Sequence, residues 1–247
     1  MLNQIRSEWI KLKSVRSSII LLCFAFGITL LVAVLISIFS REEVLVPTIL
    51  TGTGLAQLFF VVTGTQIIGQ EYRFYTIRPT FSVTPNRTKV IAAKMIVLCG
   101  VIGATTFLLV FISLATSKII FSARGIPFEF TDSNSLRIIL CLIIGYMISG
   151  LFGFGIGAIV RQPIAGIIIG LVWIIVLENI IMAIYFVITK TEGIGIAKWL
   201  PFANFGNSVA LEPNEGAFSP AVSLLYFFGI SIILCIIGSA LINKRDA

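Results

Sequence analysis

Residues 69–94, GQEYRFYTIRPTFSVTPNRTKVIAAK, form the longest polar interruption among the apolar runs of the first half of the chain. This stretch, called the 69–94 loop below, carries one acid and five basic residues: Glu71, against Arg73, Arg78, Arg87, Lys89 and Lys94. Positive charge is translocated poorly across a membrane, so a loop of this composition is expected on the cytoplasmic side. The rest of the topology is counted outward from it.

The composition indicates an all-α integral membrane protein. Of 247 residues, 57% are hydrophobic and 12% are charged, and the mean hydropathy is +1.06. A soluble domain carries about 25% charged residues. The net charge of +7 follows from basic residues that flank apolar runs, without a nucleic-acid motif, so we expect a lipid bilayer and no nucleic acid as a partner.

The chain contains no histidine, which excludes histidine-based triads and the histidine-containing zinc motifs. Its cysteines lie in apolar runs without metal-ligand spacing and are interpreted as free thiols; they are Cys23, Cys99, Cys141 and Cys235. We therefore expect no catalytic residue and no metal site.

Six apolar runs are long enough to cross a hydrocarbon core of about 30 Å as helices. They are residues 18–39, 48–68, 90–116, 136–160, 164–188 and 221–242. An even number of spans puts both termini on one side. Twelve basic residues fall on the side of the 69–94 loop, and six fall on the other side together with seven acids. Both termini are therefore expected in the cytoplasm.

The first 17 residues predict an amphipathic helix that lies flat at the membrane interface and is retained rather than cleaved as a signal peptide. Ile5, Trp9 and Leu12 share one arc at helical spacing, and Lys13 borders it. Gln4, Ser7 and Lys11 fall on the opposite side in this interpretation.

Within the 69–94 loop, residues 71–78 predict a short helix. Glu71 suits the positive end of a helix dipole, and Pro79 and Pro85 stop propagation. Charge alone favours a solvated loop that only sets orientation; the alternative is a basic, aromatic knob that a soluble partner binds.

The amino-acid sequence of the 69–94 loop resembles that of the first intracellular loop in the permease subunits of type-2 ABC exporters. The similarity lies in E-Y-R-x-x-T-I-R-P-T at residues 71–80 and T-P-N-R-x-x-V-x-x-A-K at residues 84–94, and SEWIKLKSVRSS at residues 7–18 adds to it. In that family a coupling helix docks in a groove of the ATPase subunit. The resemblance implies this role for Glu71, Tyr72, Arg73, Thr76, Ile77 and Arg78.

The resemblance also implies a six-span, half-size permease in a bacterial plasma membrane. Two copies of the chain, or one copy and a related permease, would assemble with two ATPase subunits. No glycine is followed by lysine, so the chain has no nucleotide-binding loop. ATP and Mg²⁺ are therefore expected on the partner, with no cofactor on this chain. Relatives export peptide antibiotics, drugs or lipid-like molecules.

Residues 189–220 are too apolar for a free loop and too short to span, which predicts a re-entrant or interfacial segment. Trp199 suits the membrane interface. The family resembled here has a re-entrant region at the same place, between its last two spans.

Polar residues inside the spans are candidates for a translocation path. Glu178, the only acid in a predicted span, and its neighbour Asn179 belong either to that path or dimer interface, or to a structural hydrogen bond between helices. Thr53 and Gln57 lie on one stripe and either contact the cargo or bond neighbouring helices. The small residues Ser149, Gly153 and Gly157 recur every four residues and predict close helix packing.

Three other classes of protein stay open. An ion-coupled secondary transporter needs coupling carboxylates, of which only Glu178 is available. An intramembrane enzyme needs a second catalytic group facing Glu178. A membrane immunity or sensor protein would bind its ligand without transporting it.

Overall fold

The computed structural model describes residues 2–14, 16–42, 44–77, 87–190, 194–212 and 216–245. Within these residues the regular structure is helical throughout. The bounds of the helices, numbered here in chain order, are α1 Leu2–Ser14, α2 Arg16–Phe39, α3 Val46–Arg73, α4 Arg87–Ala123, α5 Ser133–Val160, α6 Pro163–Thr189, α7 Ile194–Ala197, α8 Pro201–Val209 and α9 Pro220–Arg245. The predicted all-α class is confirmed for this part of the chain.

Six of these helices, α2 to α6 and α9, are long and apolar enough to cross a membrane. The predicted spans fall at the same six places, but two observed helices extend well beyond them. The second, α3, continues to Arg73, and the third, α4, has 37 residues. A helix of this length is about 55 Å long, so α4 exceeds a hydrocarbon core of about 30 Å.

The fourth span, α5, is the central helix of the bundle. Of the 18 consecutive residues that are most apolar in each helix, 72% are buried in α5 and 11% are buried in α6. It packs against α3, α4 and α9. Glycines make this packing close, because a Cβ at Gly64 or Gly153 would overlap a carbonyl oxygen of the facing helix, at Gly150 and Val61 respectively. The close packing predicted from these small residues is confirmed.

The first span, α2, packs through small residues as well. Its buried residues are Ser18, Ala25, Thr29, Ala33 and Ser37, spaced four apart from Ala25 onward. This stripe faces α3 and α4. The Thr29 hydroxyl donates to the carbonyl of Ala25 in its own helix and lies 3.3 Å from the carbonyl of Gly52 in α3. Small residues let these backbones approach closely.

Helix α1 and the last turns of α9 lie at the end of the bundle that carries Glu71, called the loop end below. The Lys11 ammonium of α1 is 3.1 Å from a Glu71 carboxylate oxygen. In the last turns of α9, the carbonyl of Leu241 accepts a hydrogen bond from Arg161 at 2.8 Å, and the Arg161 guanidinium lies 5.4 Å from the centre of the Tyr72 ring. The opposite end of the bundle is called the far end.

Replacement of Gly153 by alanine is expected to lower the free energy of unfolding of the purified protein by about 1–3 kcal/mol, because the added Cβ overlaps the Val61 carbonyl. The midpoint of thermal unfolding should fall accordingly. Gly27→Ala is the matched control, since a Cβ there meets nothing within 4 Å. Thermal unfolding in one detergent compares the two variants. Equal midpoints would show that α3 and α5 do not pack at the observed distance.

Candidate functional site

Four charged residues from three helices meet at the loop end and form what we call the loop-end cluster: Glu8, Lys11, Glu71 and Lys94. The Lys94 ammonium donates to Glu8 Oε2 at 2.5 Å and to Glu71 Oε1 at 2.7 Å. The Lys11 ammonium donates to Glu8 Oε1 at 2.8 Å and to Glu71 Oε1 at 3.1 Å. Each ammonium therefore bridges both carboxylates.

Burial divides the cluster into a core and a rim. Lys94 is 3% exposed, and Glu8 and Glu71 are also buried, whereas Lys11 is half-buried. A buried ammonium is stable only when it is paired and hydrogen-bonded. Lys94 therefore fixes α1 and α3 against α4, on which it is carried.

The cluster changes the predicted orientation of α1. Lys11 and Gln4 were expected opposite the apolar arc, but Glu8 and Lys11 face the protein, and Ile5 and Leu12 are half-buried beside them. Trp9 and Lys13 are exposed. The polar pair decides the rotation of α1, since the buried Lys94 needs the Glu8 carboxylate.

The pKa of Lys11 is raised above its ordinary value of 10.5. Burial by itself would lower it, but the hydrogen bonds and negative charges of Glu8 and Glu71 outweigh that effect. A raised pKa means that Lys11 stays charged throughout the neutral range. Its contribution to stability is complete below pH 10.5 and is lost only as the pH rises through the raised value.

The residues predicted to couple to an ATPase occupy the end of α3 and the turn after it. Glu71, Tyr72 and Arg73 are the last turn of α3, so the prediction that Glu71 begins a separate helix was wrong. Glu71 therefore lies at the negative end of a helix dipole, and Lys94 and Lys11 stabilise its charge instead. Arg78 lies outside the described residues.

The turn that ends α3 contains Tyr75, whose φ is 56°. The Thr76 N–H donates to the Glu71 carbonyl at 3.0 Å, a pattern that closes helices and usually has glycine at the reversing position. A tyrosine with positive φ is strained. Phe74 and Tyr75 are 62% and 85% exposed, and the Arg73 guanidinium lies 5.5 Å from the Phe74 ring centre. We call residues 73–75 the aromatic edge.

A second group of contacts fixes the short helix α8 at both ends. The Glu178 carboxylate of α6 accepts hydrogen bonds from the backbone N–H of Phe202 at 3.0 Å and of Ala203 at 2.9 Å. It also accepts one from Trp173 Nε1 at 3.0 Å. A π-helical turn, Trp173–Leu177, immediately precedes Glu178. These contacts favour the structural interpretation of Glu178, a hydrogen bond between helices.

Arg137 of α5 binds the opposite end of α8. Its guanidinium donates to the carbonyls of Ser208 at 3.3 Å, Ala210 at 2.8 Å and Leu211 at 3.2 Å. An acid at the positive end and a base at the negative end both suit the dipole of α8. We call Glu178 and Arg137 the α8 clamp. Arg137 is one of the six basic residues that the charge count assigns to the side opposite the 69–94 loop, and nothing local in the sequence indicates its distant partners.

The α8 clamp gives helix α8, which lies within the predicted 189–220 segment, a definite position. Phe202 and Phe205 of α8 are buried, and their rings lie 4.9 Å from Phe152 and 5.2 Å from Tyr146, measured between centroids. Trp199 remains largely exposed. These contacts wedge α8 between α5 and α9, whereas its re-entry into a membrane remains a prediction.

The predicted path residues divide into two places. Thr53 and Gln57 line one cavity of about 270 Å³ that lies between α3, α5 and α8. Glu178 is outside the lining of that cavity, and Asn179 is exposed and donates to the Ile175 carbonyl of its own helix at 3.0 Å. The structure therefore brings Thr53 and Gln57 together and separates the other pair from them.

Replacement of Lys94 by methionine is expected to destabilise the protein by about 3–5 kcal/mol, because Glu8 and Glu71 lose their buried partner. Lys11→Met is the matched control and should cost about 1 kcal/mol or less, since Lys11 is half-exposed and Lys94 remains. Chemical unfolding in detergent measures both. Equal losses would contradict a cluster centred on Lys94.

Replacement of Glu178 by alanine should release the first turn of α8. We expect the amides of Phe202 and Ala203 to lose about 1.5–3 kcal/mol of protection in hydrogen exchange, the value of hydrogen bonds to a charged acceptor. Asn179→Ala, one residue along, is the control because Asn179 bonds only to its own helix. Unchanged exchange in the Glu178 variant would exclude the clamp.

Comparison with known proteins gives one family. Residues 50–247 match the model of a family described as a protein of unknown function (DUF2705). No curated protein matches the sequence. The matched range includes Glu71, Lys94 and the α8 clamp, and it excludes α1 with Glu8 and Lys11.

Proposed function

This chain belongs to the DUF2705 family, and we propose that it is the membrane-spanning permease subunit of an ATP-driven exporter. A separate ATPase subunit would bind ATP and Mg²⁺ and deliver the energy of hydrolysis. The proposal rests on the resemblance of residues 71–94 to the coupling loop of type-2 ABC permeases, and on the contacts around that loop.

The structural observation that supports this proposal best is that the aromatic edge is exposed and strained and directly follows the loop-end cluster at Glu71. Large exposed aromatic residues beside an arginine are typical of protein interfaces. Backbone strain is often kept where function requires it. Phe74 and Tyr75 follow Glu71 by only a few residues. A protein that binds the aromatic edge and then moves would therefore exert a force on the loop-end cluster.

The loop-end cluster can transmit such a force to the membrane-length helices. Glu71 lies at the end of the second span and Lys94 near the start of the third, so their ion pair closes the two sides of the loop. Glu8 adds α1 to the same unit. Movement of a docked partner would therefore move α1, α3 and α4 together rather than deform the loop alone.

The proposed assembly contains two copies of this chain, or one copy and a related permease, with two ATPase subunits. The loop end would face the cytoplasm of a bacterial cell and the far end the outside, in accordance with the excess of basic residues on the loop side. Peptide antibiotics, drugs and lipid-like molecules are the cargo classes.

An ion-coupled carrier is less well supported. Its coupling site would have to use Glu178, the acid of the fifth span. That carboxylate already accepts three hydrogen bonds, which hold α8.

The test is co-purification of the tagged chain from its native membrane, followed by an ATPase assay. We expect an ATPase to co-purify, and Tyr75→Gly to reduce its recovery tenfold or more, as loss of an interface hot spot would. Glycine also relieves the positive φ, so thermal stability should stay equal or rise by about 1 kcal/mol. Lost binding without lost stability distinguishes docking from a folding effect.

Phe39→Ala is the control, because Phe39 is an exposed aromatic residue at the far end of α2 and should not affect recovery of the ATPase. The proposal fails if the wild-type chain purifies under mild detergent without a nucleotide-hydrolysing partner. It also fails if Phe39→Ala and Tyr75→Gly lower recovery equally.

A further inference from the structure

The cavity beside Gln57 has the lining of a ligand site. Its volume is about 270 Å³, and it lies between the first turns of α3, the first half of α5 and one face of α8. Its walls are mainly aliphatic and aromatic; they include Leu50, Ile138, Leu142, Tyr146, Phe202 and Phe205. Apolar walls with a few polar groups are typical of small-molecule sites.

None of the described residues that line this cavity is charged. The ionic groups at the two ends of α8 are engaged elsewhere, because Arg137 binds the carbonyls at the end of α8 and Glu178 binds the N–H groups at its start. A charged ligand would lose its hydration without gaining a partner, which is strongly unfavourable. The cavity therefore selects against ions.

The side-chain amide of Gln57 has a defined orientation in the cavity. The Ser149 hydroxyl donates its only hydrogen to the Gly145 carbonyl at 2.9 Å, so toward Gln57 it can only accept. The Gln57 amide nitrogen is therefore the group 3.2 Å from Ser149 Oγ. Among the described residues, Gln57 Oε1 receives no hydrogen bond, although the side chain is more than nine-tenths buried. This acceptor is oriented for a donor that is not part of the fold.

We propose that the cavity binds an uncharged, largely apolar ligand that donates a hydrogen bond from an amide N–H or a hydroxyl group to Gln57 Oε1. The apolar walls supply most of the contact area, and Gln57 selects the donor. Identification of this ligand as the exported cargo rests on the proposed function, whereas its binding does not.

The entrance to the cavity consists of exposed residues on two helices. Three residues of the lining are exposed, Thr51 and Gly54 of α3 and Gly206 of α8, so we infer that the cavity opens beside them. A Cβ at Gly54 or Gly206 would meet nothing within 4 Å. A large side chain can therefore be added at Gly206 to narrow the cavity without displacing its neighbours.

The experiment uses the full chain in phosphatidylcholine nanodiscs and saturation-transfer NMR, with empty nanodiscs subtracted. The probe is N-acetyl-leucyl-leucinamide, which is neutral and carries amide donors. Leucyl-leucinamide, a cation, and N-acetyl-leucyl-leucine, an anion, have nearly the same shape. We expect saturable binding of the neutral probe and at least tenfold weaker binding of both charged probes.

Two variants test the site itself. Gln57→Leu removes the acceptor and should weaken binding of the neutral probe about tenfold. Gly206→Leu should abolish binding by occupying the entrance, and it keeps the test decisive if Gln57→Leu does not fold. Gly27→Leu is the matched control, since it adds the same side chain into open space on α2, away from the cavity, and should bind like the wild type.

Equal binding of the neutral and charged probes, no saturable binding, or binding that survives Gly206→Leu would overturn the proposal. Binding that survives Gln57→Leu but not Gly206→Leu would overturn the donor requirement and indicate a purely apolar occupant such as a lipid chain. The assay contains no ATPase. If the chain binds the neutral probe but no ATPase co-purifies with it, the proposed export function is refuted and the proposed ligand site is still supported.

Discussion

The buried ammonium of Lys94 is the constraint on which the loop end of this protein depends. An unpaired cation in this position would be very costly, and two carboxylates from different helices make it stable. Neither carboxylate is available until α1 and the end of α3 have packed on α4. The pairing therefore specifies the rotation of α1, the close approach of the two sides of the 69–94 loop, and the base on which the aromatic edge stands.

Buried polar groups also need partners at the two ends of α8. Its backbone ends would be unsatisfied inside an apolar bundle, and Glu178 and Arg137 supply an acceptor and a donor of the matching charge. Because these residues belong to α6 and α5, any relative movement of the two spans would strain the clamp. The cavity next to Gln57 has α8 as one wall, so its shape depends on that clamp. Binding in the cavity and the arrangement of the spans are thereby physically linked.

The glycine-lined contact between α3 and α5 joins these two regions. The backbones of α3 and α5 approach closely at Val61, Gly64 and Thr65, which lie between Gln57 at the cavity and Glu71 at the loop-end cluster. In the proposed exporter, this closely packed helix would connect the ATPase-binding edge to the ligand cavity.

The sequence by itself determined the helical class and the six membrane-length segments, because in lipid each helix satisfies its own backbone hydrogen bonds and therefore needs a continuous apolar run. It also identified Glu71, Thr53, Gln57 and Glu178 as unusual residues. It did not reveal their partners: Glu8 and Lys94 are 86 positions apart, and Glu178 binds N–H groups 24 and 25 residues away. Local periodicity also ended α3 too early and started a separate helix at Glu71. Only the tertiary structure decided these points, because a side-chain pairing depends on how each helix is rotated and where it crosses its neighbours, and no local pattern encodes that.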